Sequence, residues 1–328
     1  MNAEGPHWLR VLIIGSNHRW RMEKCTERAL KRDGHKTLVI DDKRASRVIG
    51  RKLTQKWALS QARRFKPDFV ILGKCHGLDI DTVRTIIEGK PNCMWYHDPQ
   101  WYKSTYRPDI AHIIAVGKLT QTFFVSGFEA EWRALGLRAK FLPSAADRDI
   151  KPVPPSKAFH SDVSFIGSGY DPARAQFLLK VARKYDLKVW GEGWKEWRKP
   201  LNWSGRPVQG KEFAAVCSSS NISLGINPDR AKGASTYTSD RTWMVILAGG
   251  FYLGHGTPGL TEMLREGDHC AWYKDIDSCL EQIAYYLEKP AQRERVRREG
   301  QVFVREYHTF DQRIHNLLSG EAFVNPLA

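Results

Sequence analysis

Short apolar runs with β-branched members recur along this chain, and most are followed by a stretch of helical periodicity that ends at glycine or Asp-Gly. That alternation admits few folds: parallel strands joined by right-handed helical crossovers, with helices covering both faces of the sheet. Strands are expected at residues 8–15, 36–40, 67–73, 92–96, 110–116 and 140–142, with helices ending near Arg32 and spanning 52–65 and 79–88. A second series begins with a strand at 161–166. It continues through a helix at 172–185 and strands at 188–191, 222–226, 251–253 and 270–273, with further helices at 210–218, 276–287 and 291–307. Between the two series lies a stretch with four prolines, Pro143, Pro152, Pro154 and Pro155, which reads as an interdomain linker. The expected organisation is therefore two Rossmann-like α/β domains, 1–150 and 151–328. Ligands of such sheets bind beyond the carboxyl ends of the strands.

Of the 328 residues, 42% are hydrophobic, with 12 Trp, 11 Tyr and 14 Phe, which excludes a disordered chain despite the formal charge of +15. The charge is uneven. Residues 1–150 carry 27 Lys and Arg against 16 Asp and Glu, or +11, leaving 24 against 20, or +4, for the rest. Within the first half, Lys43, Arg44, Arg47, Arg51, Lys52, Lys56, Arg63, Arg64 and Lys66 follow one another with no acid among them. Such a run is commonly a solvated helix face, but one this long repels itself unless a polyanion neutralises it. The six cysteines show neither a C-x-x-C pair nor His-Cys ligand spacing, so they read as buried thiols. No secretory signal precedes the first strand, and a cytoplasmic location is expected.

Residues 239–260 are the most informative stretch of the second half. Ser239 is placed to cap a helix, Asp240 complements its dipole, and Gly249-Gly250 stops it before a short strand. Arg241 at that helix start, and a second helix start at Thr257-Pro258-Gly259, offer N–H groups and positive charge to an anion such as a diphosphate. Asp79-Ile-Asp81 and Asp275-Ile-Asp277 match a short metal-binding pattern that chance also produces often, so no obligatory metal is expected.

Several motifs of the second half, in order, resemble those of the CgeB-like glycosyltransferases, a spore-maturation family also found in phage genomes. They are Asp162-Val-Ser-Phe-Ile-Gly-Ser168, Val189-Trp-Gly-Glu-Gly-Trp194, Ile222-Ser-Leu-Gly-Ile-Asn227, Ser239-Asp-Arg-Thr-Trp243 with Gly249, Gly259-Leu260, and Glu306-Tyr-His-Thr-Phe-Asp-Gln-Arg313. In the first half, Trp95-Tyr-His-Asp-Pro99 resembles the family's Asp-Asp-Pro element. The resemblance implies the GT-B fold, two Rossmann-like domains facing a central cleft. The C-terminal domain would bind a nucleotide-sugar, a UDP-sugar above all, and the N-terminal domain the acceptor. It departs from the pattern at Met244, where relatives carry the Glu expected to hold the ribose.

Transfer from a nucleotide-sugar releases a diphosphate, so positive charge and N–H donors are needed where the leaving group gains charge. Arg241, Lys232 and the N–H groups at Gly167 and Ser168 are candidates, with Ser239, Asn227 and Gly259 nearby in the pattern. Gly191 and Gly193 would let backbone approach the base or ribose. The acceptor hydroxyl must lose a proton, and Asp98, then His18, then His97 are the candidate bases. Trp95, Tyr96, Trp101, Tyr102 and Tyr106 surround Asp98 in sequence and could stack on a sugar or an extruded base. With the basic segment as a phosphate-backbone contact, hydroxymethylated pyrimidines in DNA are the leading acceptor. The alternatives are a surface polysaccharide, protein or anionic lipid-linked sugar, and a non-catalytic nucleic-acid-binding protein on a decayed transferase fold.

Overall fold

The computed structural model describes residues 8–98, 109–227 and 237–328, which form two compact units. The first is Met1–Pro143 with Phe310–Phe323, and the second is Ser144–Thr309 with Val324–Ala328.

In the first unit the chain runs β1 (Arg10–Ile14), α1 (Met22–Arg32), β2 (Lys36–Ile40), α2 (Asp42–Ile49), α3 (Arg51–Phe65), β3 (Phe69–Leu72), α4 (Ile80–Ile87), β4 (Asn92–Tyr96), α5 (Ile110–Leu119), β5 (Thr122–Val125), α6 (Glu129–Ala134) and β6 (Ala139–Phe141). The six strands are parallel in the order β2-β1-β3-β4-β5-β6. Val11, Leu12, Ile13 and Ile14 are all fully buried, because helices cover both faces of the sheet, and in β1 only Arg10 at its start reaches solvent. The order reverses direction between β1 and β3, which opens a crevice beyond their carboxyl ends.

The second unit repeats the plan with β7 (Ser161–Ile166), α7 (Pro172–Ala182), β8 (Leu187–Trp190), α8 (Gly210–Ser219), β9 (Ser220–Gly225), α9 (Asp240–Leu247), β10 (Tyr252–His255), α10 (Pro258–Met263), β11 (Ala271–Tyr273), α11 (Ile276–Glu288) and α12 (Pro290–Tyr307). Its strands are parallel in the order β11-β10-β9-β7-β8, and the reversal falls between β7 and β9. Local chemistry starts several helices as expected: Asp171 accepts the Ala173 N–H ahead of Pro172, and Asp275 forms a capping box with Ser278.

Three expectations need correction. Residues 110–116 are helix, not strand: Ile113, Val116 and Gly117 are the buried positions of α5, a helical spacing hidden inside a β-branched run. The strand is Thr122–Val125 instead. Residues 43–49 are also helical, because Asp41 accepts the Arg44 N–H and starts α2. The proline-bearing stretch begins at the unit boundary, Pro143/Ser144, and continues into the second unit with Ala145, Ala146 and Ile150 buried and Ala146 donating to the His308 carbonyl at 2.9 Å.

The last correction concerns α13 (Phe310–Ser319), which rejoins the first unit although it follows the second in sequence. It buries Phe310, Arg313, Ile314 and Leu317, an i, i+3, i+4, i+7 stripe. Arg32 of α1 holds Asp311 with two bonds of 2.7 and 2.8 Å. Arg313 donates to the Pro143 carbonyl at 3.1 Å and lies over the Phe323 ring, and burial pushes its pKa down to about 9. Leu317→Ala should therefore destabilise the first unit by about 2–5 kcal/mol. A urea melt followed by amide exchange in α1 and β4 reads this; unchanged protection there would contradict the packing.

Candidate active site

In the second unit, the carboxyl ends of β7, β8 and β9 meet around two glycines. Gly191 has φ +128°, and a Cβ there would overlap the Gly167 carbonyl oxygen, so the loops after β7 and β8 touch backbone to backbone. The contact is fixed by hydrogen bonds. Gly167 donates to the Trp190 carbonyl at 2.9 Å and Gly169 to the Glu192 carbonyl at 2.8 Å. Two indoles complete it: Trp194 Nε1 donates to the Gly167 carbonyl and Trp203 Nε1 to the Gly191 carbonyl, each at 2.8 Å. The Gly169 N–H is committed to Glu192, whereas the Ser168 N–H makes no backbone hydrogen bond among the described residues and is a donor available to a ligand.

Two arginines converge on the same turn. Arg241, in the first turn of α9, lies over the Phe165 ring at 4.8 Å and donates to the Ile226 carbonyl at 3.4 Å. Its guanidinium reaches Gly167 so closely that a Cβ there would be 2.6 Å from Nη2. Arg174 is only 5% exposed; it donates to the Ser168 carbonyl at 2.8 Å and to Ile226 at 3.2 Å, tying the turns after β7 and β9 together. Asn227, next in line, has a buried Nδ2 with no partner among the described residues. A cavity of about 550 Å³ opens beside these turns, lined by Tyr170, Gly191, Gly193, Lys195, Trp197 and Trp203 among others.

The helix start at α9 differs from expectation. Ser239 makes no capping bond to the helix; its hydroxyl donates to Asp240 at 3.5 Å, and Asp240 in turn accepts the Arg241 N–H at 2.9 Å. That N–H and the Thr242 N–H, which donates to the Ser239 carbonyl at 3.1 Å, are already satisfied, so the Arg241 guanidinium is the main group here to meet an anion. Gly259 lies in the six-residue α10, one strand further along the sheet. Lys232 lies outside the described residues, as do Trp101, Tyr102 and Tyr106.

In the first unit, Asp98 stands just past β4, where Lys74, just past β3, pairs with it at 2.6 Å. Lys74 also sits 5.8 Å from the Tyr96 ring centroid. Beneath the β1–β3 crevice lies Glu23: a Cβ on Gly15 or Gly73 would be 2.6 or 2.9 Å from its Oε1, so both strand ends need glycine to admit the carboxyl. Burial raises the Glu23 pKa, and hydrogen bonds to its own and the Ser16 backbone, with the Lys74 charge, oppose the rise. His18 is exposed in the loop after β1. His97 faces inward, its Nδ1 3.1 Å from the Ser126 hydroxyl and its ring 4.3 Å from Trp95, with Nε2 buried.

The basic segment is exposed throughout: Lys43, Arg44, Arg47, Arg51, Lys52, Lys56, Arg63, Arg64 and Lys66 all face solvent on or beside α2 and α3. Both Asp-x-Asp patterns are helix starts. Asp79 caps α4, Asp81 pairs with Arg84, and Asp275 caps α11. The six cysteines are all buried and none is disulfide-bonded.

Residue patterns missed Arg174, Lys74 and Glu23. The signal for the last two was a lone charge at the carboxyl edge of an apolar strand, and an acid in the first turn after a Gly-Ser loop. Arg174 carried no signal beyond its place in the turn after Asp171.

These features can be set against known proteins. Residues 174–319 match the family described as Glycosyl transferase-like. No curated protein sequence matches the chain. Among solved structures, sucrose-phosphate synthase from Thermosynechococcus elongatus superposes with a TM-score of 0.67 at 10% identity, covering 95% of this chain and 98% of that one. Anabaena HepE, solved with UDP and glucose, gives 0.65 at 10% identity, covering 95% and 100%. The T4 phage protein BGT, solved with its UDP-glucose substrate, gives 0.57 at 11% identity, covering 95% and 98%. Residues 174–319 are thus similar to a glycosyltransferase family, and the chain as a whole has the GT-B fold of these solved structures.

His97 supplies a test of the first-unit geometry. Burial pushes its pKa down to about 3, against an ordinary value of 6.5. The unfolded chain takes up this proton as pH falls through about 6.5, while the folded ring stays neutral until far lower. The His97 ring proton resonances should accordingly not titrate between pH 5 and 8, and the residue's contribution to stability should be lost as pH falls from about 6.5. A His97 titration midpoint near neutrality would contradict the enclosed placement.

Proposed function

We propose that the protein transfers a sugar from a UDP-sugar to an acceptor hydroxyl. The observation that carries the donor reading is the convergence of Arg241, the Ser168 N–H and the Gly167–Gly191 backbone contact at the switch point of the second sheet. UDP or UDP-glucose occupies HepE and BGT in their structures, and the present chain shares their fold. Arg241 would neutralise the diphosphate as it leaves, and Tyr170, Trp197 and Trp203 would wall the nucleoside. Met244 lies three residues after Arg241 and supplies no carboxylate for the ribose, so the ribose contact must come from another group. Motifs 162–168, 189–194 and 239–243 support reading the chain as a relative of the CgeB-like proteins.

In the reaction, the acceptor oxygen forms a bond to the anomeric carbon, the bond from that carbon to the β-phosphate oxygen breaks, and UDP departs with the electron pair. Asp98 takes the acceptor's proton. Lys74 holds that carboxylate at 2.6 Å, so movement of Lys74 would free the carboxylate oxygen to meet the acceptor hydroxyl. The reading needs no metal ion.

The strong positive balance of residues 1–150 points to an anionic acceptor or carrier. Hydroxymethylated pyrimidines in DNA would be served by the exposed cations alone. Val48, Ile49, Leu53 and Trp57 are exposed among those cations, however, and this favours the other class, a surface or lipid-linked sugar. The Asp98–Lys74 pair and the Arg241 arrangement argue against a decayed, non-catalytic fold.

Asp98→Asn preserves the shape and the bond from Lys74 but removes the base. It should lower the turnover of UDP-sugar roughly 10²–10⁴-fold while leaving UDP affinity unchanged. Turnover can be followed as UDP release. Full activity in the variant would remove Asp98 from the mechanism.

A further inference from the structure

Four of the large apolar side chains exposed among the described residues fall within ten positions of one another: Val48 at 74%, Ile49 at 40%, Leu53 at 57% and Trp57 at 36%. They flank the corner between α2 and α3, where Gly50 turns the chain with φ +77°. The helices are not arranged to hide them. α3 buries Thr54, Ala58 and Ala62 on its inner stripe, leaving Leu53 and Trp57, four residues apart, on the outer side with Lys56 and Arg64. α2 buries only Asp42, which accepts the Gly77 N–H at 2.6 Å, so Val48 and Ile49 contribute nothing to a core. The nine cations of this segment take part in no ion pair among the described residues, and no acid interrupts them.

We propose that the α2–α3 corner is a docking face for the surface of an anionic lipid bilayer. Val48, Ile49, Leu53 and Trp57 enter the headgroup region, and the surrounding Lys and Arg hold lipid phosphates. The combination decides the partner. A nucleic-acid backbone rewards the cations but gains nothing from aliphatic side chains in its phosphate layer. A second copy of the chain would bring like charges together. A bilayer rewards both at once: apolar burial and anionic attraction are the two signals that together give stable surface binding, and a tryptophan sits well at the interface. No helix among the described residues is long and apolar enough to cross a membrane, so the corner lies on the surface rather than through it.

The corner is also wired to the first-unit site. Arg51 donates to the His76 and Leu78 carbonyls at 3.3 and 3.4 Å, and Gln55 to the Gly77 carbonyl at 2.9 Å. These bonds grip the loop that carries Lys74. Docking would therefore hold that loop against the lipid surface where a membrane-borne acceptor would be met. The docking itself does not depend on sugar transfer and can fail or succeed separately.

The test is co-sedimentation of the full chain with vesicles of phosphatidylcholine alone and of phosphatidylcholine mixed with phosphatidylglycerol, each at low and high salt. Wild type should bind the mixed vesicles and lose binding as salt rises. The double variant Leu53→Ser, Trp57→Ser alters only exposed positions; it should keep its thermal midpoint and lose about tenfold or more in partition. The same proteins are assayed against a DNA duplex and by sedimentation velocity. Equal binding of both proteins to the vesicles would overturn the proposal, as would duplex binding without vesicle binding. A wild-type dimer that the double variant abolishes would overturn it too, by assigning the face to a second copy.

Discussion

The second unit is built on a place where two backbones touch with no side chain between them. Gly191 can lie against the Gly167 carbonyl only because it lacks a Cβ and tolerates a positive φ. That contact lets the turns after β7 and β8 share hydrogen bonds, with Trp194 and Trp203 donating to the two carbonyls. With those carbonyls held by the indoles, the Arg241 guanidinium lies against the Gly167 turn. Arg174 and Arg241 both donate to the Ile226 carbonyl and lie over the Phe165 ring, which holds two cations near one point. A site preorganised in this way loses little on binding an anion, because the donors are already in place.

The first unit uses burial differently. Its crevice admits a carboxyl, Glu23, between two glycine-ended strands, and sets the Lys74–Asp98 pair at the neighbouring strand ends. Desolvation penalises Glu23 while Lys74 relieves it, so changes at Lys74 are felt at both acids. The basic α2–α3 pair stands on the same loop through Arg51 and Gln55. Charge on the surface and charge in the crevice are thereby mechanically connected.

Much of this was legible in the residues. The strands at 36–40, 92–96 and 161–166 declare themselves by short apolar runs ended by turn chemistry, and Asp171-Pro172 marks its helix start without ambiguity. What misled was local resemblance between states: residues 110–116 are as β-branched as a strand, and only the spacing of Ile113, Val116 and Gly117 shows the helix. α13 could not be assigned to its unit, since that depends on Arg32 and Pro143, far away in sequence. At the site, Arg241 and Gly191 stood out through their motifs. Ser239 did not behave as a cap because Asp240 competes for the same N–H. The roles of Arg174 and Lys74 arise from cross-strand proximity, which no local pattern encodes.

The central claim is that the Gly167–Gly191 turn and Arg241 form a diphosphate site. Calorimetric titration of UDP into wild type and Arg241→Ala tests it most directly. Losing one charge-assisted contact should weaken UDP binding by about 10–100-fold with the melting temperature preserved. Equal affinity in a folded variant would place the diphosphate elsewhere and contradict the account.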